Sequence, residues 1–298
     1  MPPLSSDLRL PYVAIVSAAA LWGSGFYLTR LGLSDSGALG FVALRMGAAA
    51  LCLMLLAGKS LQHITKHEVL GGCLVALTAL IGYGGTAIAL ETEPSARVAF
   101  LSATYVLIVP AIQLLMYGEK PSPQLILGAF FALLGVGLMS GSLTADAADF
   151  SLGDMISLLS AVAIATEIVL LGRIMRSADP TRIAVVVLVS TAVLSAMASG
   201  VRGEPLPVFT PQLFGIIAVF GIMTAYIQFA MGWAQKRISA PKAAVIYATE
   251  PLFAALIGYA VGEALGVNEL LGGLLIVLGV LVTAFRIRNP HLRSGQTS

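Results

Sequence analysis

The stretch that decides the fold runs from Ala240 to Phe285 and reads APKAAVIYATEPLFAALIGYAVGEALGVNELLGGLLIVLGVLVTAF. It contains two apolar runs, which are separated by a short break at Gly262–Glu263–Ala264. Within the first run, Glu250 is followed at once by Pro251. An ionised side chain is costly in hydrocarbon and marks a functional site by default, and a proline bends the helix that carries it. The stretch therefore predicts two membrane-spanning helices, the first of which carries a site.

A weaker copy of this stretch occurs in the first half of the chain. Arg97 to Leu138 reads RVAFLSATYVLIVPAIQLLMYGEKPSPQLILGAFFALLGVGL. When the two are aligned, Gly118–Glu119 falls on Gly262–Glu263, and the Leu-Gly-Val of residues 134–136 falls on that of residues 278–280. An internal repeat of this kind determines the architecture of the whole chain. We therefore expect two related halves.

The composition is that of an integral membrane protein. Of 298 residues, 58% are hydrophobic and only 11% are charged, and the mean hydropathy is +0.93. A soluble domain carries about 25% charged residues, so this chain has too few charges to cover a surface in water. The apolar runs are continuous rather than alternating, which favours helices over the strands of a membrane barrel.

The chain contains ten apolar runs that are candidates for spanning helices. They are Pro11–Leu28, Ala38–Ala57, Val69–Leu90, Val98–Tyr117, Leu125–Ser140, Leu152–Gly172, Ile183–Ser199, Leu213–Ala234, Ala243–Val261 and Leu270–Phe285. The fifth and tenth are the shortest. We expect a short N-terminal segment (1–10), a first five-helix repeat (11–140), a second (152–287) and a C-terminal tail (288–298).

The distribution of Lys and Arg predicts the orientation. With ten crossings, thirteen of these residues lie on the side of the N-terminus, three lie on the other side (Arg30, Arg97 and Arg202), and Arg45 lies inside a run. Positive charge marks the cytoplasmic side, so both termini are expected in the cytoplasm of a bacterial cell, with the protein in the inner membrane. Because each half has five helices, the halves would have opposite topology, which is typical of secondary transporters that bind substrate near mid-membrane.

Several motifs resemble those of a known family. They are LWGSGF at residues 21–26, ALRM at 43–46, ARVAFL at 96–101, EPLFAA at 250–255 and the two Gly–Glu junctions. In their order and spacing the chain resembles the drug/metabolite transporter superfamily, specifically its ten-helix EamA-like exporters. The resemblance covers essentially the whole chain. The branch that exports amino acids looks like the part of the family most similar to it.

The resemblance implies a basket of helices around a central cavity. The third, fourth, eighth and ninth helices would line much of that cavity, and the fifth and tenth would lie peripherally and support dimer contacts. It also implies export of small metabolites by alternating access. The expected partners are a small-molecule substrate and the lipid bilayer, and the expected assembly is a monomer or a homodimer. No nucleic acid, cofactor or metal is expected.

Three charged residues lie well inside the apolar runs, away from the ends of the runs. Glu250 is either a proton carrier or a ligand of a substrate ammonium group, or else a structural carboxylate paired with Arg45. Arg45 either binds a substrate carboxylate with its planar fork or neutralises Glu250 or Glu167. Glu167 either faces the cavity or extends toward Arg173 and water. The residues alone leave these alternatives open.

A second set consists of aromatic and polar residues within the runs. Its members are Trp22, Tyr83, Tyr105, Tyr226, Gln228 and Tyr247. Rings with a polar group suit a half-wet cavity, although each one singly could equally serve helix packing. Pro110 and Pro251 lie at similar depths in the repeated helices and are expected to kink them.

Two other functions remain as alternatives. One is export of drugs or nucleoside-type solutes. The other is an intramembrane enzyme, which is disfavoured because all three histidines lie outside the runs, and Cys52 and Cys73 have no polar neighbour in the sequence. We expect no catalysis. The energy source, either the substrate gradient or proton exchange, is left open by the sequence.

Overall fold

The computed structural model describes residues 6–141, 150–260 and 266–284, and these residues form helices joined by short connections. The α-helices are α1 (Ser6–Gly23), α2 (Gly25–Gly32), α3 (Ala38–Ala57), α4 (Lys66–Ala79), α5 (Gly85–Ala89), α6 (Ser95–Ala103), α7 (Tyr105–Tyr117), α8 (Pro123–Met139), α9 (Leu152–Ile174), α10 (Pro180–Arg202), α11 (Pro211–Gln235), α12 (Ala240–Tyr247), α13 (Glu250–Ala260) and α14 (Val267–Ala284). A 3₁₀ segment (Gly58–His63) follows α3, and a π-helical turn (Leu80–Gly84) joins α4 to α5.

Seven helical segments of the described residues are long and apolar enough to cross a membrane. They are Arg9–Gly32, Ala38–His63, Lys66–Ala89, Ser95–Tyr117, Leu152–Ile174, Pro180–Arg202 and Pro211–Gln235. Two more apolar helices, Pro123–Met139 and Val267–Thr283, are shorter. The 17 residues of α8 rise about 25 Å, slightly less than the hydrocarbon core. The described part of the ninth apolar run, residues 243–260, forms α12 and α13. Within the described residues, seven of the ten expected spans are therefore found at full length.

Polar side chains begin several helices. Thr65 and Glu68 form a capping box at the start of α4, and Ser151 and Asp154 form one at the start of α9. Asp179 accepts hydrogen bonds from the first turn of α10. These side chains satisfy backbone N–H groups that have no partner within the helix. The sequence thereby sets where these three helices begin.

Helices α8 and α14 pack against each other at very short distance. Gly128 faces Gly279 and Gly135 faces Gly272, and a Cβ atom built on any of the four would lie closer than 3.0 Å to the carbonyl oxygen of the facing glycine. Small residues permit such contact between membrane helices. The short fifth and tenth helices are therefore partners within one chain. Their expected role in dimer contacts stays a prediction.

The remaining helices form a bundle with recurring contacts. Helix α3 packs on α10 and α11, and α10 also packs on α4. Helix α1 packs on α11, α12 and α13, whereas α9 packs on α4, α5 and α7. Large apolar side chains such as Leu55 and Leu115 point outward and are more than 80% exposed, as expected for surfaces that face lipid. The bundle encloses a cavity at mid-depth.

Candidate functional site

The central cavity lies where helices from both halves of the chain meet. It has a volume of about 80 Å³. Its wall is largely apolar and aromatic, with a few polar groups, the pattern of sites for small organic molecules. The residues that line it include Trp22, Phe26, Thr29, Arg45, Tyr83, Ser102, Tyr105, Phe220, Glu250 and Pro251.

Three helices are interrupted beside this cavity, each at a hydroxyl residue. Ser24 separates α1 from α2, Thr104 separates α6 from α7, and Thr249 lies between α12 and α13. The hydroxyl of each donates a hydrogen bond to the carbonyl oxygen three residues earlier, at 2.6 to 2.7 Å. Such bonds compete with the regular helical pattern and bend helices. Residues on both sides of each interruption line the cavity.

The two prolines that were expected to kink their helices occupy different positions relative to the helix interruptions. Pro110 lies within α7, six residues after the interruption at Thr104. Pro251 is the second residue of α13, immediately after the interruption at Thr249, and it lines the cavity. A proline cannot donate a hydrogen bond to the carbonyl four residues earlier, which for Pro251 is that of Tyr247, the last residue of α12. Pro251 therefore accompanies a helix break, and Pro110 does not.

Most of the predicted aromatic residues come together. The Trp22 ring lies 6.3 Å from that of Tyr83 and 5.5 Å from that of Tyr247, measured between centroids, and the second pair is edge-to-face. Tyr105 is buried and lines the same cavity. Tyr247 is wholly buried behind Trp22. Rings from α1, the π-turn and α7 thus form one aromatic wall of the cavity, and the ring from α12 packs behind it.

Tyr226 does not belong to this wall. Its side chain is 41% exposed, and its hydroxyl lies 2.6 Å from Ser17 Oγ on α1. Gln228, two residues further along α11, is buried and turned inward. The expectation that Tyr226 lines the cavity is not met in this conformation, because two residues on a helix point about 200° apart.

Arg45 is buried and lines the cavity, but it forms no ion pair with Glu250 or Glu167. Its Cζ lies 4.6 Å from the Phe220 ring centroid and 5.5 Å from that of Tyr83. Its Nε has no hydrogen-bond partner, and no described carboxylate oxygen lies within 4.0 Å of it. Ring faces attract a guanidinium group and leave its donors available to a ligand.

Glu250 begins α13 and is only partly buried. It lines the central cavity and also a neighbouring one of about 280 Å³ between α2, α6, α8 and α13. Its carboxylate has no hydrogen-bond partner among the residues that the structure describes. The start of a helix carries partial positive charge, which favours an ionised carboxylate there. Glu250 is thus a carboxyl group in the cavity wall that is available to a ligand.

Glu167 lies behind the wall, wholly buried in α9. Its Oε1 accepts hydrogen bonds from the Tyr83 hydroxyl at 3.2 Å and from Gln228 Nε2 at 3.4 Å. Its Oε2 is buried and has no partner. Glu167 therefore reaches the cavity only through Tyr83.

The structure adds residues that the sequence did not single out. Ser102 lines the cavity, and its hydroxyl is buried without a partner. Thr29 and Phe220 complete the wall. A hydroxyl within an apolar run was the only sequence signal for Ser102. Glu119, one of the repeated junction residues, hydrogen-bonds to Gln113 and lies 3.7 Å from Arg176. Its counterpart Glu263 lies outside the described residues.

Comparison with known proteins gives a family match in each half of the chain. The model of the EamA-like transporter family matches residues 9–141 and again residues 151–285. A protein of Archaeoglobus fulgidus named an uncharacterized transporter is 26% identical over 293 residues, covering 95% of this chain and 87% of its own. The uncharacterized transporter YyaM of Bacillus subtilis is 23% identical over 299 residues, covering 96% and 97%.

A solved crystal structure is similar in fold. It has a TM-score of 0.73 and 20% sequence identity, over 94% of this chain and 98% of its own. At this identity the likeness concerns the arrangement of helices alone.

Proposed function

Because the chain belongs to the EamA-like transporter family, we propose that it is a secondary transporter that exports small metabolites, in particular amino acids, with broad specificity. The observation that carries this proposal is the set of unpartnered polar groups in the central cavity. Arg45 Nε and Ser102 Oγ are buried without partners, and Glu250 lines the same space. A buried polar group without a partner is costly, so a ligand that satisfies these groups would be stabilised.

The arrangement suits a zwitterion. Arg45 can bind a carboxylate with its planar fork, and Glu250 can bind an ammonium group. Between them, the rings of Trp22, Tyr83 and Tyr105 accommodate apolar and aromatic side chains through their faces and edges. The sequence motifs resemble those of the amino-acid exporter branch, of which YddG is a member, and we propose that the substrates are similar. Broad specificity follows because the wall binds the carboxylate and ammonium groups that all amino acids share and encloses the variable substrate side chain only loosely.

Alternating access between two inverted five-helix halves is the proposed mechanism. The helix contacts support it, because a contact between two spans recurs when each span is replaced by its equivalent in the other half, five places away along the chain. The pair α3–α11 becomes α10–α4, α1–α11 becomes α9–α4, and α7–α9 becomes the pair of α12 and α13 with α1. The family model also matches each half separately. Two equivalent halves can exchange conformations and open the site to either face. We place the protein in the bacterial inner membrane with both termini in the cytoplasm.

A second candidate is export of planar drugs or nucleoside-type solutes. The aromatic lining favours it, since Trp22, Phe26, Tyr83 and Phe220 all border the cavity and flat rings stack on such side chains. In this case Arg45 and Glu250 would contribute less to affinity than the aromatic wall does.

Counterflow in proteoliposomes tests these candidates. Vesicles are loaded with one unlabelled solute. Their uptake of a labelled trace of the same solute is compared with the uptake by protein-free vesicles. The panel contains L-phenylalanine, L-leucine, L-threonine, uridine and ethidium. Uptake driven by amino acids supports the first candidate. Uptake driven only by uridine or ethidium rejects it in favour of the second, and absence of counterflow with all five rejects both.

A further inference from the structure

A second cavity lies at the end of the bundle where Lys and Arg are concentrated. Its volume is about 240 Å³, and it lies between the ends of α7, α9 and α11 and the start of α12. Four cations and one carboxylate border it, namely Arg173, Arg176, Lys236, Arg237 and Glu119. A concave site with this excess of one charge sign concentrates ions of the opposite sign.

Two of these cations are held by aromatic rings. Arg173 Cζ lies 5.0 Å from the Tyr117 ring centroid, and Arg237 Cζ lies 5.0 Å from that of Trp233. In the described part of the chain, no carboxylate oxygen lies within 4.0 Å of Arg173, Lys236 or Arg237. A cytoplasmic excess of positive charge explains why cations occur at this face. It does not explain why Arg173, Lys236 and Arg237 converge on one cavity without carboxylate partners.

The floor of this cavity contains buried amide groups. Gln235 is 4% exposed, and its Nε2 donates a hydrogen bond to the Tyr247 hydroxyl at 3.4 Å. The Oε1 atoms of Gln235 and Gln113 are buried and have no partner among the described residues. Whichever way each amide is turned, one of its polar atoms remains for water or a ligand.

A chain of side-chain contacts links the two cavities. Gln235 borders the basic cavity and bonds to Tyr247, whose ring packs edge-to-face on Trp22 of the central cavity. A solute that entered the central site from this end of the bundle would meet the basic cavity first.

We propose that the basic cavity is a vestibule that binds the anionic group of the transported solute. This inference rests on the proposed function and narrows it, because it requires that the solutes carry a carboxylate. Arg173, Lys236 and Arg237 bind the carboxylate, and Gln235 completes the site at its floor, with its amide turned so that Oε1 accepts from the Tyr247 hydroxyl and Nε2 donates to the carboxylate. Solutes with only a positive charge are repelled before they reach the central cavity.

The two tryptophans allow the two cavities to be observed separately. The chain contains only Trp22 and Trp233. In the Trp22→Phe protein, Trp233 beside Arg237 reports on the vestibule, and in the Trp233→Phe protein, Trp22 reports on the central cavity. Both proteins are reconstituted in nanodiscs, which leave both faces accessible. The probes are 3-phenylpropionate, which has a carboxylate only, and phenethylamine, which has an ammonium group only.

With Trp233 as reporter, 3-phenylpropionate should give a saturable fluorescence change that weakens as salt is raised, and phenethylamine should give none. Arg173→Gln combined with Lys236→Gln should weaken binding of 3-phenylpropionate about tenfold, as expected when hydrogen bonds to charged groups are lost. This pair leaves the Arg237–Trp233 contact of the reporter intact. Lys59→Gln, a same-face substitution outside the cavity, should leave the affinity unchanged. Lys236→Gln alone should have an intermediate effect, and size-exclusion profiles check folding.

The proposal is overturned if 3-phenylpropionate gives no saturable signal, if phenethylamine binds as tightly, or if Lys59→Gln weakens binding as much as the double substitution does. These outcomes are distinct from failure of the proposed function. Anion binding at Trp233 without amino-acid counterflow would reject amino-acid transport and retain the anion site. Counterflow without anion binding would reject the vestibule and retain the transporter.

Discussion

The Tyr83 hydroxyl donates a hydrogen bond to Glu167 Oε1 across 3.2 Å, from the wall of the central cavity into the buried interior of the bundle. Gln228 donates to the same oxygen, and the other carboxyl oxygen has no partner. The free-energy cost of burying this carboxyl group is only weakly offset, because its partners are two neutral donors and no cation lies beside it. Tyr83 is therefore the one described side chain that both lines the cavity and bonds to this group.

Tyr83→Phe should lower the free energy of unfolding by about 1 kcal/mol, because it removes one hydrogen bond from Glu167. In a Glu167→Gln background the same substitution should cost less, because an amide oxygen is a weaker acceptor than a carboxylate. Unfolding of the four proteins in detergent gives the coupling energy of the pair. A coupling energy of zero would show that the bond contributes nothing to stability.

Arg45→Lys should raise the KM for L-phenylalanine about tenfold, since an ammonium group lacks the planar fork and the stacking on Phe220. The maximal rate should change much less, because the substitution weakens carboxylate binding and leaves the helix contacts in place. The measurement is initial counterflow rate against solute concentration. A lower maximal rate with an unchanged KM would assign Arg45 a structural role.

Glu250→Gln should abolish the dependence of transport on a pH gradient if transport is coupled to protons, because an amide cannot bind and release a proton. Uptake into vesicles with and without an imposed gradient measures this dependence. Glu167→Gln is the matched control on the other buried carboxyl group. Coupling that survives in Glu250→Gln and disappears in Glu167→Gln would transfer the role of carrier to Glu167.

Gly135→Ala should destabilise the protein by about 1 to 3 kcal/mol, the usual cost of forcing atoms into a packed contact. The new methyl group would approach the backbone of Gly272 and Ile276 closer than 3.0 Å. Gly215→Ala is the control, since nothing lies within 4 Å of its built Cβ and alanine favours the helix by up to about 1 kcal/mol. Thermal unfolding of both variants in one detergent makes the comparison, and equal stability would show that α8 and α14 separate easily.

Glu204, in the loop that follows α10, caps the start of α3. Its carboxylate accepts hydrogen bonds from the backbone N–H groups of Leu39 and Gly40 at 3.1 and 2.9 Å, from Ser199 at 2.8 Å and from Arg202 at 2.7 Å. Burial alone would raise the pKa of this carboxyl group, but these donors outweigh burial, and the net effect is a lowered pKa. The folded protein therefore favours the ionised form.

This lowered pKa predicts stability that depends on pH. The contribution of Glu204 should be complete above the ordinary carboxyl pKa of about 4.3 and should disappear as the pH falls through the lower pKa of the folded state. Glu204→Gln should therefore cost about 2 kcal/mol at pH 7, and the difference from the natural protein should shrink toward about pH 4. Thermal unfolding across this range measures it. Glu119→Gln, at an exposed pair with Arg176, should change little, and a Glu204 effect that is independent of pH would contradict the assignment.

The amino-acid sequence was sufficient for the membrane character, the apolar runs and most of the candidate site. Trp22, Tyr83, Tyr105, Arg45 and Glu250 were identified because polar and aromatic groups are conspicuous in apolar runs, and the structure brings all five to one cavity. These conclusions depend on composition and on position along the chain, which need no knowledge of helix packing.

The direction in which each side chain points was decided by tertiary structure. The helices are apolar around most of their circumference, so periodicity indicates no inner face, and only packing turns Gln228 inward and Tyr226 outward. Packing also places Arg45 on the rings of Phe220 and Tyr83 rather than beside a carboxylate. It joins Arg173, in the last turn of α9, to Lys236 and Arg237, which follow α11 more than sixty positions later, at one cavity. Contacts between distant segments depend on how helices rotate and approach one another, and a linear pattern of residues does not encode that geometry locally.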